Sequence, residues 1–251
     1  MEFRLIIHQE APSTQDLARD MALRGEPEGL AVMVIHQTRG KGRLGRSWVS
    51  PAGKNLALSL ILRPPLSPRD AALLGMLASV AVAETVEEKG VPRAELKWPN
   101  DVLVKGRKIA GILPEARTTG ASIDFVIIGI GLNVNSQQYD FPPDLSDSVT
   151  SLLLCTAKEH GLEDVAHCLL RGMKKLYDRV WTEGSRFIVP LWESRWAHRG
   201  VRLVRDGVSG VAEEVDQDGA LILKMENGRR LRFHSGEAEP VDPAGVAGTR
   251  S

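Results

Sequence analysis

The sequence predicts an α+β protein in two parts, a mixed β-sheet domain with flanking helices followed by a small antiparallel β-barrel. Apolar strand-like runs and helical patterns interleave through the first 198 residues, with strands in the middle and helices around them. From about Gly200 the texture changes to short alternating segments separated by Asp-Gly and Asn-Gly turns, the pattern of a small barrel. The length of 251 residues accommodates one large and one small domain. The expected limits are 1–198 for the first domain and 199–243 for the second, with a tail at 244–251 whose small and polar residues fray.

Element by element, "APSTQDLARDMALRG" reads as a helix capped by Ser13 or Thr14, with Asp16 near its first turn and Gly25 as its stop. "GLAVMVIHQ" follows as a buried strand, and "NLALSLIL" is another. "SPRDAALLGMLASVAVAETVEEKG" reads as one long helix with Ser67 as cap, Pro68 at the first position, Asp70 at the positive dipole end and Gly90 closing it. Its apolar character nearly all round implies burial on most sides. "AELKWPNDVLVKGRKIAGILPEA" and "SIDFVIIGIGLNVN" read as short strands joined by tight turns, with Lys105-Gly106-Arg107 at a hairpin tip. "LEDVAHCLLRGMKKLYDRVW" and "SRFIVPLWESRW" restore the helical pattern.

Lys plus Arg and Asp plus Glu each number 32, so the formal net charge is zero. No general field draws nucleic acid or an anionic membrane, and any affinity for phosphate must be local. Cys155 and Cys168 are neither closely paired nor in a metal-ligand spacing, which fits small packing residues in a reducing compartment. The N-terminal "LII" is too short for a secretory segment, and no run approaches the ~20 apolar residues of a membrane span. These features predict a cytoplasmic enzyme or binding protein.

Against that neutral background, "QTRGKGRLGRSW" at 37–48 concentrates basic side chains and glycines on a loop after a strand. It reads as a solvated basic loop, a nucleic-acid contact, or a flexible lid wrapping an anionic small molecule with backbone N–H groups and guanidinium forks. The glycines at 40, 42 and 45 suit a loop that closes tightly, and Trp48 offers a face for a purine, yet RNA-binding loops share both features. In "KWPND", Lys97, Trp98, Asn100 and Asp101 supply a cation, a ring, an amide able to read a base edge and a carboxylate able to hold magnesium; a plain turn with a core tryptophan is the other reading. Lys108 in "GRKIAGIL" either points into a cleft, where its ammonium stabilises developing charge, or is an exposed hairpin lysine. "GIGLNVN" lacks the third glycine and the following helix of a dinucleotide fingerprint, and its glycines suit a flat ligand lying on a sheet.

Taken together and in this order, "STQ" at 13–15, "QTRGKGRLGRSW", "KWPND", "GRKIAGIL" and "GIGLNVN", followed by a small barrel, resemble the biotin protein ligases over almost the whole chain. The resemblance implies a class II synthetase-like biotin/lipoate ligase fold with an SH3-like C-terminal barrel. It implies an ATP- and Mg2+-dependent enzyme that activates biotin as biotinyl-5′-AMP and attaches it to one lysine of a biotin carboxyl carrier protein. By position in the family pattern, Ser13, Thr14, Gln15 and Gln37 bind the ureido ring, and Gly111, Gly129 and Gly131 let the ring lie on the sheet. The lid residues Gly40, Lys41, Gly42 and Arg43 close over biotin. Lys108 bridges the biotin carboxylate and the α-phosphate, and with Lys41 and Arg43 forms the catalytic set; Arg46 meets the outer phosphates. Trp48, Asn100 and Asn133 take adenosine, and Asp101 is a magnesium ligand. Such a lid is expected to be unordered in the free protein and ordered over the acyl-adenylate.

Two departures from the family pattern carry expectations of their own. Lys41 stands where many members have Arg and cannot form the same bidentate fork, and "STQ" at residue 13 leaves no room for the DNA-binding domain that some members carry, so no DNA binding is expected. A homodimer paired through a strand edge and a monomer agree equally with the sequence. Lipoate ligases, which share the adenylation logic, and a nucleic-acid-binding protein using the basic loop are the alternatives.

Overall fold

The structure is a computed structural model that describes residues 2–241. The expected fraying tail at 244–251 lies outside the described residues, as do the last two positions of the 199–243 segment.

Seven strands, β1 (Arg4–Ala11), β2 (Leu30–Gln37), β3 (Leu56–Leu62), β4 (Glu95–Lys97), β5 (Asp101–Val104), β6 (Arg107–Thr119) and β7 (Ser122–Leu132), form one sheet in the order β1-β2-β3-β7-β6-β5-β4. Only β1 and β2 pair in parallel, and the other neighbours are antiparallel, so the sheet is mixed as expected. The parallel pair requires a crossover, which α1 (Thr14–Leu23) provides. The Ser13 hydroxyl caps that helix by accepting from Gln15 N at 3.2 Å. Between β5 and β6, Lys105 and Gly106 both take positive φ, the two-residue hairpin geometry that the sequence announced.

The long helix expected from Ser67 is divided. Pro68–Ala72 winds as a 3-10 turn, and α2 runs over Leu73–Glu88. The Ser67 side chain makes no cap, and its hydroxyl donates to the Asp70 carboxylate at 3.0 Å. Gly90 closes the segment at φ +103°. The all-round burial predicted for α2 is realised: it lies between one face of the sheet and the helices α4 (Leu162–Glu183) and α5 (Ile188–Glu193). A short helix α3 (Leu152–Thr156), absent from the sequence reading, precedes them.

Strand alternation sorts β3, β6 and β7 between two environments. Leu56, Leu58, Leu60, Ile128, Ile130 and Ile112 point into the large core under α2. Residues of opposite parity face α1, where Ala18 and Ala22 pack on Leu30, Val32, Ile61, Phe125 and Ile127. At ten residues, α1 covers only part of that face. Beyond it lie two rows of mostly small residues brought into register: Ala57, Gly131 and Gly111 in one, Ser59, Gly129 and Leu113 in the other.

A second sheet of β8 (Arg202–Arg205), β9 (Val208–Val215), β10 (Leu221–Lys224), β11 (Arg230–Phe233) and β12 (Glu239–Pro240) is antiparallel throughout, in the order β11-β10-β9-β8-β12. Five short antiparallel strands stand where the sequence predicts a small barrel, and among the described residues no pairing joins β11 to β12. β12 has two residues and ends on Pro240, which has no N–H with which to continue a ladder. The second sheet is fastened to the first by Trp98 Nε1 donating to Gly219 O at 3.0 Å and by Lys97 Nζ on both Glu239 oxygens at 2.6 and 2.7 Å.

Candidate active site

The uncovered part of the α1 face is the floor of the site. At its α1 end lies a buried and uncharged group of polar side chains. Thr14 N donates to Gln37 Oε1 at 2.9 Å, and Thr14 Oγ1 lies 3.3 Å from the same oxygen. Ser59 Oγ donates to Thr14 Oγ1 at 2.8 Å and lies 3.2 Å from Gln15 Oε1, while Gln15 Nε2 donates to Leu113 O at 3.2 Å. These amides and hydroxyls offer donors and acceptors in a dry wall, the chemistry that a neutral urea-like group requires. Ser13 stands beside them with its hydroxyl oxygen engaged as the cap of α1.

The glycine rows serve close approach. A Cβ on Gly129 would stand 2.4 Å from Gln15 Oε1, and one on Gly131 would stand 2.3 Å from the Trp48 ring. A Cβ on Gly111 would lie 3.2 Å from both Trp48 Cζ3 and Lys108 Cε. Gln15 and Trp48 are therefore the groups that lie flat on the sheet, where the sequence reading put a ligand ring. The buried Trp48 Nε1 has no hydrogen-bond partner.

The basic loop arches above this floor along a defined path. Lys41 and Ser47 form an isolated β-bridge, Gly42 N donates to Arg46 O at 2.8 Å, and Trp48 N donates to Gly40 O at 3.0 Å. Gly40 is fixed by crowding, since a Cβ there would meet Trp48 O at 2.3 Å, and Gly45 by its φ of +76°. With Leu113 and Glu115 the loop borders an open cavity of about 480 Å³.

Every cation assigned to the lid or the sheet is matched by a group of the protein itself. Lys41 Nζ meets Asp16 Oδ1 at 2.6 Å, and Arg46 is bidentate on Glu237 at 2.6 and 2.9 Å. Arg43 Nη1 donates to Asn100 Oδ1 at 3.0 Å and to Gly236 O at 3.3 Å. Burial is the first cause that lowers the Arg43 pKa; Asp101 and Glu237 oppose it, and Arg205 and Arg46 add to it. Lys108 Nζ is ion-paired to Asp101 Oδ1 at 2.7 Å and stands 5.6 Å from the centre of the Trp48 ring.

"KWPND" forms the turn between the edge strand β4 and its neighbour β5 and divides its residues between two tasks. Lys97 and the buried Trp98 join the second sheet, whereas Asn100 and Asp101 face Arg43 and Lys108. Asn100 Nδ2 donates to Ile112 O at 2.9 Å, which fixes its oxygen toward Arg43. Asn133 is buried with its amide donating to Thr150 O at 3.0 Å, so that group holds the loop before α3. Among the described residues there is no cluster of three acidic, histidine or cysteine side chains for a metal. The single carboxylate of Asp101 fits magnesium only as an ion carried largely by phosphate oxygens, the way Mg2+ commonly enters nucleotide sites.

Sequence reasoning missed Ser59, Asp16 and Glu237. The signal for Ser59 was present, a hydroxyl in the middle of an otherwise apolar buried strand. For the two acids no sequence signal existed, because each acts on a loop brought near only by the fold.

A mixed sheet bearing a neutral amide pocket and a basic loop over a glycine floor suits a protein that receives a small, partly apolar anion. Residues 7–133 match the biotin/lipoate A/B protein ligase family, and the chain belongs to that family. It is similar to the bifunctional ligase/repressor BirA of Bacillus subtilis, at 36% identity over 239 residues that cover 94% of this chain and 73% of that protein. It is also similar to the biotin–[acetyl-CoA-carboxylase] ligase of Mycobacterium tuberculosis, at 32% identity over 92% of this chain and 86% of the relative. Among solved structures, biotin protein ligase from Aquifex aeolicus in complex with biotin and ATP aligns with a TM-score of 0.77 and 28% identity, covering 94% and 97% of the two chains.

Proposed function

We propose that this chain joins biotin to ATP as biotinyl-5′-AMP and passes the biotinyl group to one lysine of a biotin carboxyl carrier protein. The observation that carries the reading is the adjacency, across three paired strands, of an uncharged amide pocket and the Lys108–Trp48–Arg43 group.

In the first step a biotin carboxylate oxygen bonds to the α-phosphorus of ATP while the bond to the bridging oxygen breaks and pyrophosphate leaves. Both reactants are anions, so fixed cations at their meeting point lower the barrier. Thr14, Gln15, Gln37 and Ser59 hold the ureido ring, with Ser13 fixing the turn that bears two of them. Lys108 leaves Asp101 to bridge the carboxylate and the α-phosphate. Arg43 and Lys41 close over them, and Arg46 exchanges Glu237 for the outer phosphates. Trp48, Asn100 and Asn133 border the adenosine. Mg2+ bound with ATP supplies further neutralisation of phosphate charge, with Asp101 as its one protein ligand. In the second step the neutral ε-amine of the carrier lysine attacks the acyl carbon, AMP leaves with the bonding pair, and an amide remains after loss of a proton. The loop over the site excludes water in between.

ATP use and two unpaired cysteines accord with a reducing, ATP-supplied compartment such as the cytoplasm. Sedimentation with and without biotin and ATP tests self-association, and a gel shift tests the expected lack of DNA binding. The deciding experiment is pyrophosphate release on mixing the protein with ATP and biotin, lipoate or octanoate. Release with biotin alone supports the reading; release with lipoate in preference to biotin replaces it.

A further inference from the structure

We propose that Asp16 is a positioning residue that moors the lid to the ring-reading turn of α1 through Lys41. Three consecutive residues carry the idea. Thr14 and Gln15 belong to the neutral pocket, and Asp16, next along the same first turn, takes Lys41 Nζ on its Oδ1 at 2.6 Å. Arg19 binds the same oxygen through Nη2 and reaches Glu115 Oε2 at 3.4 Å through Nη1, which fixes the carboxylate toward the lid. At its other end the lid is moored to Asn100, Gly236 and Glu237 by Arg43 and Arg46. The loop is therefore held at two ends, one on the ring-reading turn and one beside the second sheet.

An ammonium has three donors, so Lys41 can keep one on Asp16 and still present others to an anion beneath the lid. Arg46 commits two of its five N–H donors to Glu237, the tie that moors the far end of the loop. The Asp16 end thus stays attached through the reaction cycle and slows escape of the acyl-adenylate. The proposal rests on the ligase reading and adds a residue to it.

The test uses the full chain with Asp16→Asn, Asp16→Glu, Lys41→Met and the Asp16→Asn/Lys41→Met double variant. Release of biotinyl-adenylate from the Asp16→Asn protein should be about two- to fivefold faster, the range of one partly exposed ion pair. The single-turnover rate of pyrophosphate formation should change less, and Asp16→Glu should restore retention. With Met at position 41, Asp16→Asn should add nothing. Asp16 also adds negative charge to the first turn of α1, an effect independent of residue 41. Equal losses in both backgrounds would assign Asp16 to the helix and overturn the proposal. If the parent protein releases no pyrophosphate, the ligase reading falls, and tryptic cleavage at 38–46 still decides the mooring: faster cleavage of Asp16→Asn supports it, and unchanged cleavage overturns it.

Discussion

The two halves of the site are built on opposite plans. The pocket of Thr14, Gln15, Gln37 and Ser59 is buried and uncharged, and its groups are joined to one another. The charged half holds Lys41, Arg43, Arg46 and Lys108 on Asp16, Asn100, Glu237 and Asp101. A neutral ring can be received by small reorientations of hydroxyls and amides. A polyanion must compete with partners already in contact, the Asp101 and Glu237 carboxylates among them. The difference teaches that recognition of the ring is prepared in advance, whereas the affinity for phosphate is a difference between two sets of ion pairs. It also explains how a strongly basic loop persists in a chain of zero net charge.

The largest expected effect comes from removing the cation of the charged half that lies on the sheet. Lys108→Ala should lower pyrophosphate release by about 10²–10³-fold, the range for one preorganised charge-stabilising donor. Binding of biotin alone, read by calorimetry, should change far less, because Lys108 touches none of the ring-reading groups. Equal losses in adenylation and ring binding would erase the division between the halves.

Next in size is a break in the floor. Gly131→Val places a branched side chain where even one carbon would stand 2.3 Å from the Trp48 ring, between paired strands that cannot yield. Overpacking of this kind costs about 1–3 kcal/mol and displaces the ring. The expected result is a lower melting temperature and a KM for ATP raised more than that for biotin. A KM for ATP unchanged by Gly131→Val would detach Trp48 from the nucleotide side.

These contrasts mark what the chain disclosed in advance and what it withheld. Local chemistry was legible: the Ser13 cap, the Lys105-Gly106 turn and the apolar surface of α2 each depend on neighbours in sequence. The entry to α2 was not, since Pro68–Ala72 winds as a 3-10 turn with no cap from the Ser67 side chain, a choice that the residue types alone leave open. Nor was the short helix α3, whose five residues are too few to show a helical period. In the site, the glycines signalled a close approach to the sheet, and only the fold revealed that Gln15 and Trp48 stand against them. Asp16 and Glu237 looked like ordinary surface acids until the lid was placed beside them.

A smaller effect probes the neutral half. Ser59→Ala removes the hydroxyl shared between Thr14 and Gln15. A net hydrogen-bond contribution of about 1 kcal/mol predicts roughly fivefold weaker biotin binding. The KM for ATP should hold, as should the salt dependence of the reaction. A matching rise in the KM for ATP would mean that the two halves are coupled through the sheet.

The smallest effect lies at the edge of the charged half, where His198 neighbours the Lys97–Glu239 pair. Burial is the main cause that lowers the His198 pKa; Lys97 lowers it further, and Glu239 opposes them. The folded protein thus holds the ring neutral at pH values where the unfolded chain, titrating near ~6.5, already binds a proton. Stability from this group is complete above that unfolded value, falls as pH drops below it, and levels off once pH is under the folded value. Melting temperatures of the parent and of His198→Gln, taken from pH 7.5 to 5, should therefore converge toward acid, with the parent losing more. His160, whose pKa is also lowered by burial, titrates in both proteins and cancels in the comparison. Parallel melting curves would place His198 outside this linkage.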